Sequence, residues 1–324
     1  MPETPFIVTV DTEGDDIWSR PRAVTTHNAH FLPRFQSLCE RYGYRPVYLA
    51  NYEMVMSEEF VEFARDVLAR RAAEIGMHLH AWNSPPLIPL TDDDFHHHPY
   101  LFEYPDEVMR EKIKVMTVLL EERFGQPVMS HRAGRFGFDG RYAAMLLEAG
   151  YRIDCSVTPG IDWSATTGAP GGAGGPDYRG FPKEPYFFTP RDIATPARSG
   201  LLEVPVTIET GRLFRSAPWA YRVPLMHGVA NRLSPMYNWV CPGENDLAGM
   251  RRAARRARAA GGSCIVFQVH SSELMPGGSR TFRSANAVER LYENLEMLFA
   301  ELSVWCRGTT LAEFHAELST KAAA

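Results

Sequence analysis

Short apolar runs, several of them ending in a charged or imidazole side chain, alternate along this chain with stretches of helical periodicity. No other feature constrains the fold as much. A strand that is apolar throughout must be buried on both faces, and strand–helix alternation supplies the helices that cover it. The apolar runs predict strands at 6–10, 46–50, 75–80, from 128, and at 151–155, 202–208 and 264–269. Helical spacing predicts helices between them. One runs from Asn28 through Phe31, Leu32, Phe35, Leu38 and Tyr42 to Gly43, and one begins at Ser57. Others span 105–124 before Gly125, run from Asp139 to Gly150, lie near 245–260 and span 284–302, and a last one carries Leu311 and Phe314. The expected class is α/β with a parallel sheet. Roughly seven strands favour a barrel over an open doubly wound sheet.

No fixed-period repeat, Gly-rich nucleotide loop or separating linker occurs, so one domain over 1–324 is expected. Its loop insertions fall at about 81–104 and 156–200, the second rich in Gly and Pro and without periodicity. Net charge is −5, which gives no reason to expect nucleic acid or an anionic membrane as partner. The basic run Arg251, Arg252, Arg255, Arg256 and Arg258 reads as a solvated helix face. The 5 cysteines are odd in number and lie in apolar stretches, which reads as reduced, buried thiol. The first residues lack a basic segment followed by a long apolar one, and no run is long enough to span a bilayer. A cytoplasmic location is the expectation.

Active sites of parallel α/β folds gather at the carboxyl ends of the strands. Asp11 and Glu13 end the first strand two residues apart, so extended geometry points both to one side. His78 and His80 end the third with the same spacing, and zinc favours such nitrogen pairs completed by a carboxylate and water. His131 and Arg132 end the fourth, with Arg135 close by; an arginine beside a carboxylate holds it ionised. Asp154 ends the fifth. His270 follows an apolar strand and is placed to donate a proton. Each also has a plainer reading: a capped turn, loop histidines, a surface ion pair, a core histidine. His96, His97 and His98 read as a solvated loop, and His27 and His30 as flanking a helix start. Trp163, Trp219 and Trp239 can stack on sugar rings or pack in the core.

In combination these pieces resemble the NodB-homology polysaccharide deacetylases, carbohydrate esterase family 4, over about residues 5–315. Thr9, Val10 and Asp11 match the first motif, which implies that Asp11 is the catalytic base. The family's next acidic ligand falls on Thr12, with Glu13 the nearest substitute, as in relatives that read D-V-E. Glu74, Ile75, Gly76 and His78 match the second motif. Its second histidine falls on Trp82, and His80 is the available replacement. Arg132 matches the arginine that pairs with the base. Asp162 and Trp163 resemble a D-W motif, whereas Asp154 and Ser156 resemble a D-S-S element; both comparisons stand. His270 matches the general acid.

The resemblance implies a distorted (β/α)7-type, TIM-barrel-like fold and N-deacetylation of an amino sugar. With no export signal, that sugar is expected in an intracellular precursor of a surface polysaccharide. It implies a divalent cation, Zn²⁺ or alternatively Co²⁺, Ni²⁺ or Fe²⁺, held by Glu13, His78 and His80. Asp11, Arg132 and His270 carry the catalysis, and Trp82, Arg135, Asp154 and Trp163 complete the candidates as substrate contacts. Two rivals are another C–N hydrolase on the same scaffold, such as a deformylase or metal-independent amidase, and a carbohydrate-binding relative without turnover.

Overall fold

The first strand, β1 (Thr4–Thr12), is the spine of the molecule. It pairs in parallel with β2 (Val47–Ala50) on one side, which pairs with β3 (Glu74–Leu79), β4 (Ser130–Ala133) and β5 (Ile153–Asp154) in turn. The computed structural model describes residues 3–323 apart from 22, 218, 220–228, 230, 232, 233 and 244. The segment after β5 holds an antiparallel pair, β6 (Tyr186–Thr189) and β7 (Asp192–Ala197), and β6 pairs antiparallel with β8 (Leu201–Glu203). β8 in turn runs parallel to β5. Two short strands, β9 (Ile208–Thr210) and β10 (Tyr237–Trp239), form a separate antiparallel pair. β11 (Ile265–His270) runs parallel to β1 on its other side, and β12 (Cys306–Gly308) pairs with the start of β1.

The sheet order is β11-β1-β2-β3-β4-β5-β8-β6-β7, parallel from β11 as far as β8. The sheet is not closed by a ladder between β8 and β11. The gap is bridged instead by irregular chain. The Val266 amide donates to Thr207 Oγ1 (2.8 Å) and the Gln268 amide to the Val240 carbonyl (3.0 Å).

Two cores explain the apolar runs. Phe6, Val8 and Val10 join the outer core under the helices, with Ile75, Met77 and Leu79. Ile7 joins an inner core with Val47, Leu49, Ile153, Leu202 and Val266. Successive side chains alternate between these layers. The inner layer above Ile7 therefore holds Thr9 and Asp11, above Val266 holds Gln268 and His270, and above Gly76 holds His78. Helices cover the outer face: Leu32–Arg41, Glu58–Ala69, Asp106–Phe124, Gly140–Glu148, Leu247–Ala259 and Ala285–Leu302. Their starts follow capping chemistry, with Asp139, Asp246 and Ser284 each accepting a backbone N–H. At Asn28 the expectation fails. Asp15 accepts the His27 and Asn28 amides, and the Asn28 side chain donates to Glu13 and Asp15.

Two further expectations change. The segment 156–200 is not structureless, because Tyr186 and Phe188 bury alternate positions of a strand there. The strand expected over 202–208 is two strands in different sheets, broken between Glu203 and Ile208. None of the five cysteines forms a disulfide, and all are buried. The basic run on Leu247–Ala259 is engaged within the molecule: Arg251 and Arg255 pair with Glu301, and Arg258 lies over Trp305. No helix among the described residues is long and apolar enough to cross a membrane.

Candidate active site

Strand register brings the carboxyl-end side chains together. Asp11 lies opposite His270 in the β1–β11 pair, and His78 lies opposite Arg132 in the β3–β4 pair. Arg132 is fully buried, and its Nη1 donates to Asp11 Oδ1 at 2.5 Å. Its other donors are fixed as well, Nε on the Cys155 carbonyl (2.9 Å) and Nη2 on Thr9 Oγ1 (3.0 Å). Gln268 Nε2 donates to Asp11 Oδ2 at 2.7 Å. Burial alone would raise the Asp11 pKa. Arg132, His78 and His270 outweigh it and hold the carboxyl at about 2. His270 Nε2 stands 3.7 Å from Asp11 Oδ2, and its Nδ1 stands 3.6 Å from Glu273 Oε2. Burial would lower its pKa, but Glu13, Glu273 and Asp11 raise it to about 10.

Beside this group, Glu13, His78 and His80 each offer one ligand atom, all within 4.8 Å of one another. Glu13 Oε2 lies 3.6 Å from His78 Nε2 and 3.5 Å from His80 Nε2. Two donors on one tetrahedral zinc stand about 3.4 Å apart when each bond is about 2.0–2.1 Å. His78 Nδ1 donates to the Arg132 carbonyl (3.0 Å), which leaves Nε2 as a free lone pair. Burial first, and the proximity of His78, His98, His270 and Arg135 after it, pushes the His80 pKa well below the usual imidazole value. Glu13 Oε2 and both His80 ring nitrogens are buried without a hydrogen-bond partner. Buried polar atoms are almost always satisfied, so these orphans and their spacing fit a divalent cation.

A cavity of about 340 Å³ opens above Asp11, His78 and His270. Its walls include Trp18, Tyr100, Phe136, Trp163 and Trp239, with Arg135 and Arg280. Arg135 spans two loops by donating to the carbonyls of His98 and Thr167, with its guanidinium over the Tyr100 ring. Trp163 stacks on Phe136 (5.8 Å, 19°). Of the four residues expected to touch substrate, Arg135 and Trp163 line this cavity.

Trp82 and Asp154 do not. Trp82 is 4% exposed, stacked between the rings of His80 (4.5 Å, 16°) and His98 (4.2 Å, 16°). It stands behind His80 and does not line the cavity. Asp154 is wholly buried on the outer layer, bonded to His131 Nδ1 (2.6 Å) and to the Ser156 amide (2.9 Å). His131 points the same way, to the Tyr142 hydroxyl (2.7 Å), because it alternates with Arg132. Asp162 pairs at the surface with Arg179. His98, expected in a solvated loop, is buried against Trp82. The histidines at 27 and 30 stay outside the cavity wall. Residues that sequence reasoning missed are Gln268, Trp18 and Glu273. Gln268 carried a visible signal, a lone amide inside an otherwise apolar strand.

Glu53 adds a pH effect. Its carboxylate accepts from Asn83, and burial together with the nearby Glu13 raises its pKa from 4.5 to about 7. A carboxyl with a raised folded pKa binds its proton more tightly in the native state, so stability falls as pH rises between 4.5 and about 7. The expected loss is about 3 kcal/mol across that window. Urea unfolding at several pH values should show this slope in the native protein and a flatter one in Glu53→Gln.

No family model matches the sequence, and no curated protein matches it. Solved structures do. A protein assigned as a polysaccharide deacetylase from Mycobacterium smegmatis aligns with 99% of this chain and 92% of its own, at 15% identity and TM-score 0.54. A protein assigned as a glycoside hydrolase/deacetylase from Parabacteroides distasonis aligns over 97% and 71%, at 10% identity and TM-score 0.59. A GH57 branching enzyme from Thermococcus kodakaraensis aligns over 98% and 71%, at 13% identity and TM-score 0.53. The chain therefore has the (β/α)7-type α/β fold of these deacetylase structures, with its own sheet unclosed, and shares that fold with a GH57 branching enzyme.

Proposed function

We propose that this protein is a metal-dependent hydrolase that removes an acyl group, foremost acetyl, from the nitrogen of an amino sugar. The observation that carries this reading is the buried Glu13–His78–His80 set standing beside the Asp11–Arg132 pair and His270. A divalent cation at Glu13, His78 and His80, Zn²⁺ foremost or else Co²⁺, Ni²⁺ or Fe²⁺, supplies Lewis acidity that makes water acidic near pH 7 and polarises an amide carbonyl. Asp11 takes the proton of the attacking water. Arg132 and Gln268 fix both carboxylate oxygens, so the base is oriented before substrate arrives. His270 gives a proton to the departing sugar nitrogen, a step an amide requires because an amine anion is too poor a leaving group.

Trp163, Phe136 and Trp239 offer flat faces on which a sugar ring stacks. A cavity of about 340 Å³ is at the small end for ligand sites, which favours a precursor unit over a finished polymer. We place that substrate among intracellular precursors of surface polysaccharide. Acetate release should therefore be faster from monomeric or nucleotide-linked N-acetyl sugars than from chitin oligomers. Elemental analysis tests the metal. About one zinc, cobalt, nickel or iron per native chain is expected, lost when His78→Ala and His80→Ala are combined. Native protein that takes up no metal, even after incubation with zinc, would sink this mechanism.

One observation favours a second reading. Glu13 and His80 do not reach the cavity wall; of the three candidate ligands only His78 does. A metal-independent amide hydrolysis by Asp11, Arg132 and His270 would need nothing deeper. Full activity in chelator would select it.

A further inference from the structure

Trp18 belongs to two structures at once. Its ring lines the cavity, and its indole N–H donates to Glu13 Oε1 at 3.1 Å. Within the Glu13 carboxylate the division is sharp: Oε1 receives the indole, while Oε2 has no hydrogen-bond partner and faces His78 and His80. The same ring meets His80, Trp82 and His98 edge-on, at 5.9, 6.3 and 6.0 Å.

The chain is bent to put the indole there. Trp18 sits in the short turn Ile17–Ser19, bounded by Asp16 (φ 41°) and Arg20 (φ 64°), both left-handed and neither glycine. Non-glycine residues in this region persist only where their surroundings hold them. Here the Asp16 amide donates to the Gly278 carbonyl, Arg280 donates to the Trp18 carbonyl, and Ile17 is buried. On the far side of the ligand set the space is equally determined. A Cβ on Gly134 would lie 2.2 Å from His80 Cδ2 and 2.7 Å from the Leu79 carbonyl.

We propose that Trp18 is a positioning residue for the metal site, holding Glu13 so that one carboxylate oxygen alone is presented to the cation. This rests on the metal reading above. Without the indole N–H the carboxylate is free to rotate, and oriented ligands bind metal more tightly than free ones.

The test uses the full chain, stripped of metal by chelator and titrated with Co²⁺ against a chromogenic competitor while the visible Co²⁺ spectrum is recorded. Trp18→Phe keeps an aromatic ring and loses the donor; Trp18→Gln keeps a donor and loses the ring. Trp18→Phe is expected to bind Co²⁺ about 10–100-fold more weakly, with an altered spectrum and an unchanged thermal transition. Trp18→Gln is expected to recover part of the affinity and spectrum. Native affinity and spectrum in Trp18→Phe would overturn the proposal. Should Trp18→Phe fail to fold, Trp18→Gln decides alone: a loss of affinity below about tenfold supports the donor role, and a tenfold or greater loss overturns it. A native chain that takes up no Co²⁺ overturns the metal reading and this proposal with it, an outcome distinct from equal binding by native and variant.

Discussion

The Asp11→Asn protein is expected to fold, to load metal as the native protein does and to lose turnover by about 10²–10⁴-fold. Asparagine keeps the shape of aspartate and an acceptor for Arg132, so the buried guanidinium retains a partner. The second contact adjusts as well. Gln268 now donates to Asp11 Oδ2 while its own Oε1 is buried without a partner. Rotating that amide turns an acceptor towards the new Asn N–H. What the variant lacks is a site for the water's proton. Metal content by elemental analysis and single-turnover acetate release together separate the outcomes. Unchanged turnover would remove Asp11 from the base role, whereas lost turnover with lost metal would mean the change had spread to Glu13.

The second large effect is on stability. Arg132→Met removes a buried cation and leaves Asp11 buried with Gln268 as its remaining close donor. Breaking one side of a buried pair costs about 3–5 kcal/mol, and His270, 3.7 Å from Asp11, offsets only part of the charge left behind. The loss should appear as a lower urea midpoint with an unchanged slope. Adding Asp11→Asn to Arg132→Met should recover part of it, since the uncompensated charge is then gone. A double variant no more stable than Arg132→Met would place the cost in the lost contacts to Thr9 and Cys155 instead.

Much of this geometry was legible beforehand, for one reason. In a parallel sheet covered on both faces, a strand reads as an apolar run, and the first polar residues after it mark the rim. Asp11, Glu13, His78, His80, Arg132 and His270 were found in that way. The alternation of layers also explains the misses. Asp154 and His131 stand on the outward parity of their strands, and two short strands give too few positions to show it. The burial of Trp82 is not legible in the sequence, because its stacking partner His98 lies in a segment that reads as a solvated loop. Trp18 was invisible because a left-handed turn leaves no periodic trace. The hairpin of β6 and β7 hid among glycines and prolines, where four strand residues do not outweigh their neighbours.

The pairing of β1 with β11 has a consequence for synthesis. Asp11 and His270 belong to adjacent strands, yet most of the chain lies between them. At roughly 5–20 residues per second, a ribosome takes on the order of tens of seconds to cover that interval. During it β1 can recruit β2 but has an open edge, apolar and unpaired, where β11 will later dock. Open edges of this kind template wrong pairings. The nascent protein is therefore most exposed to aggregation through the strand that carries Asp11, and the Asp11–His270 juxtaposition forms only once β11 has been made.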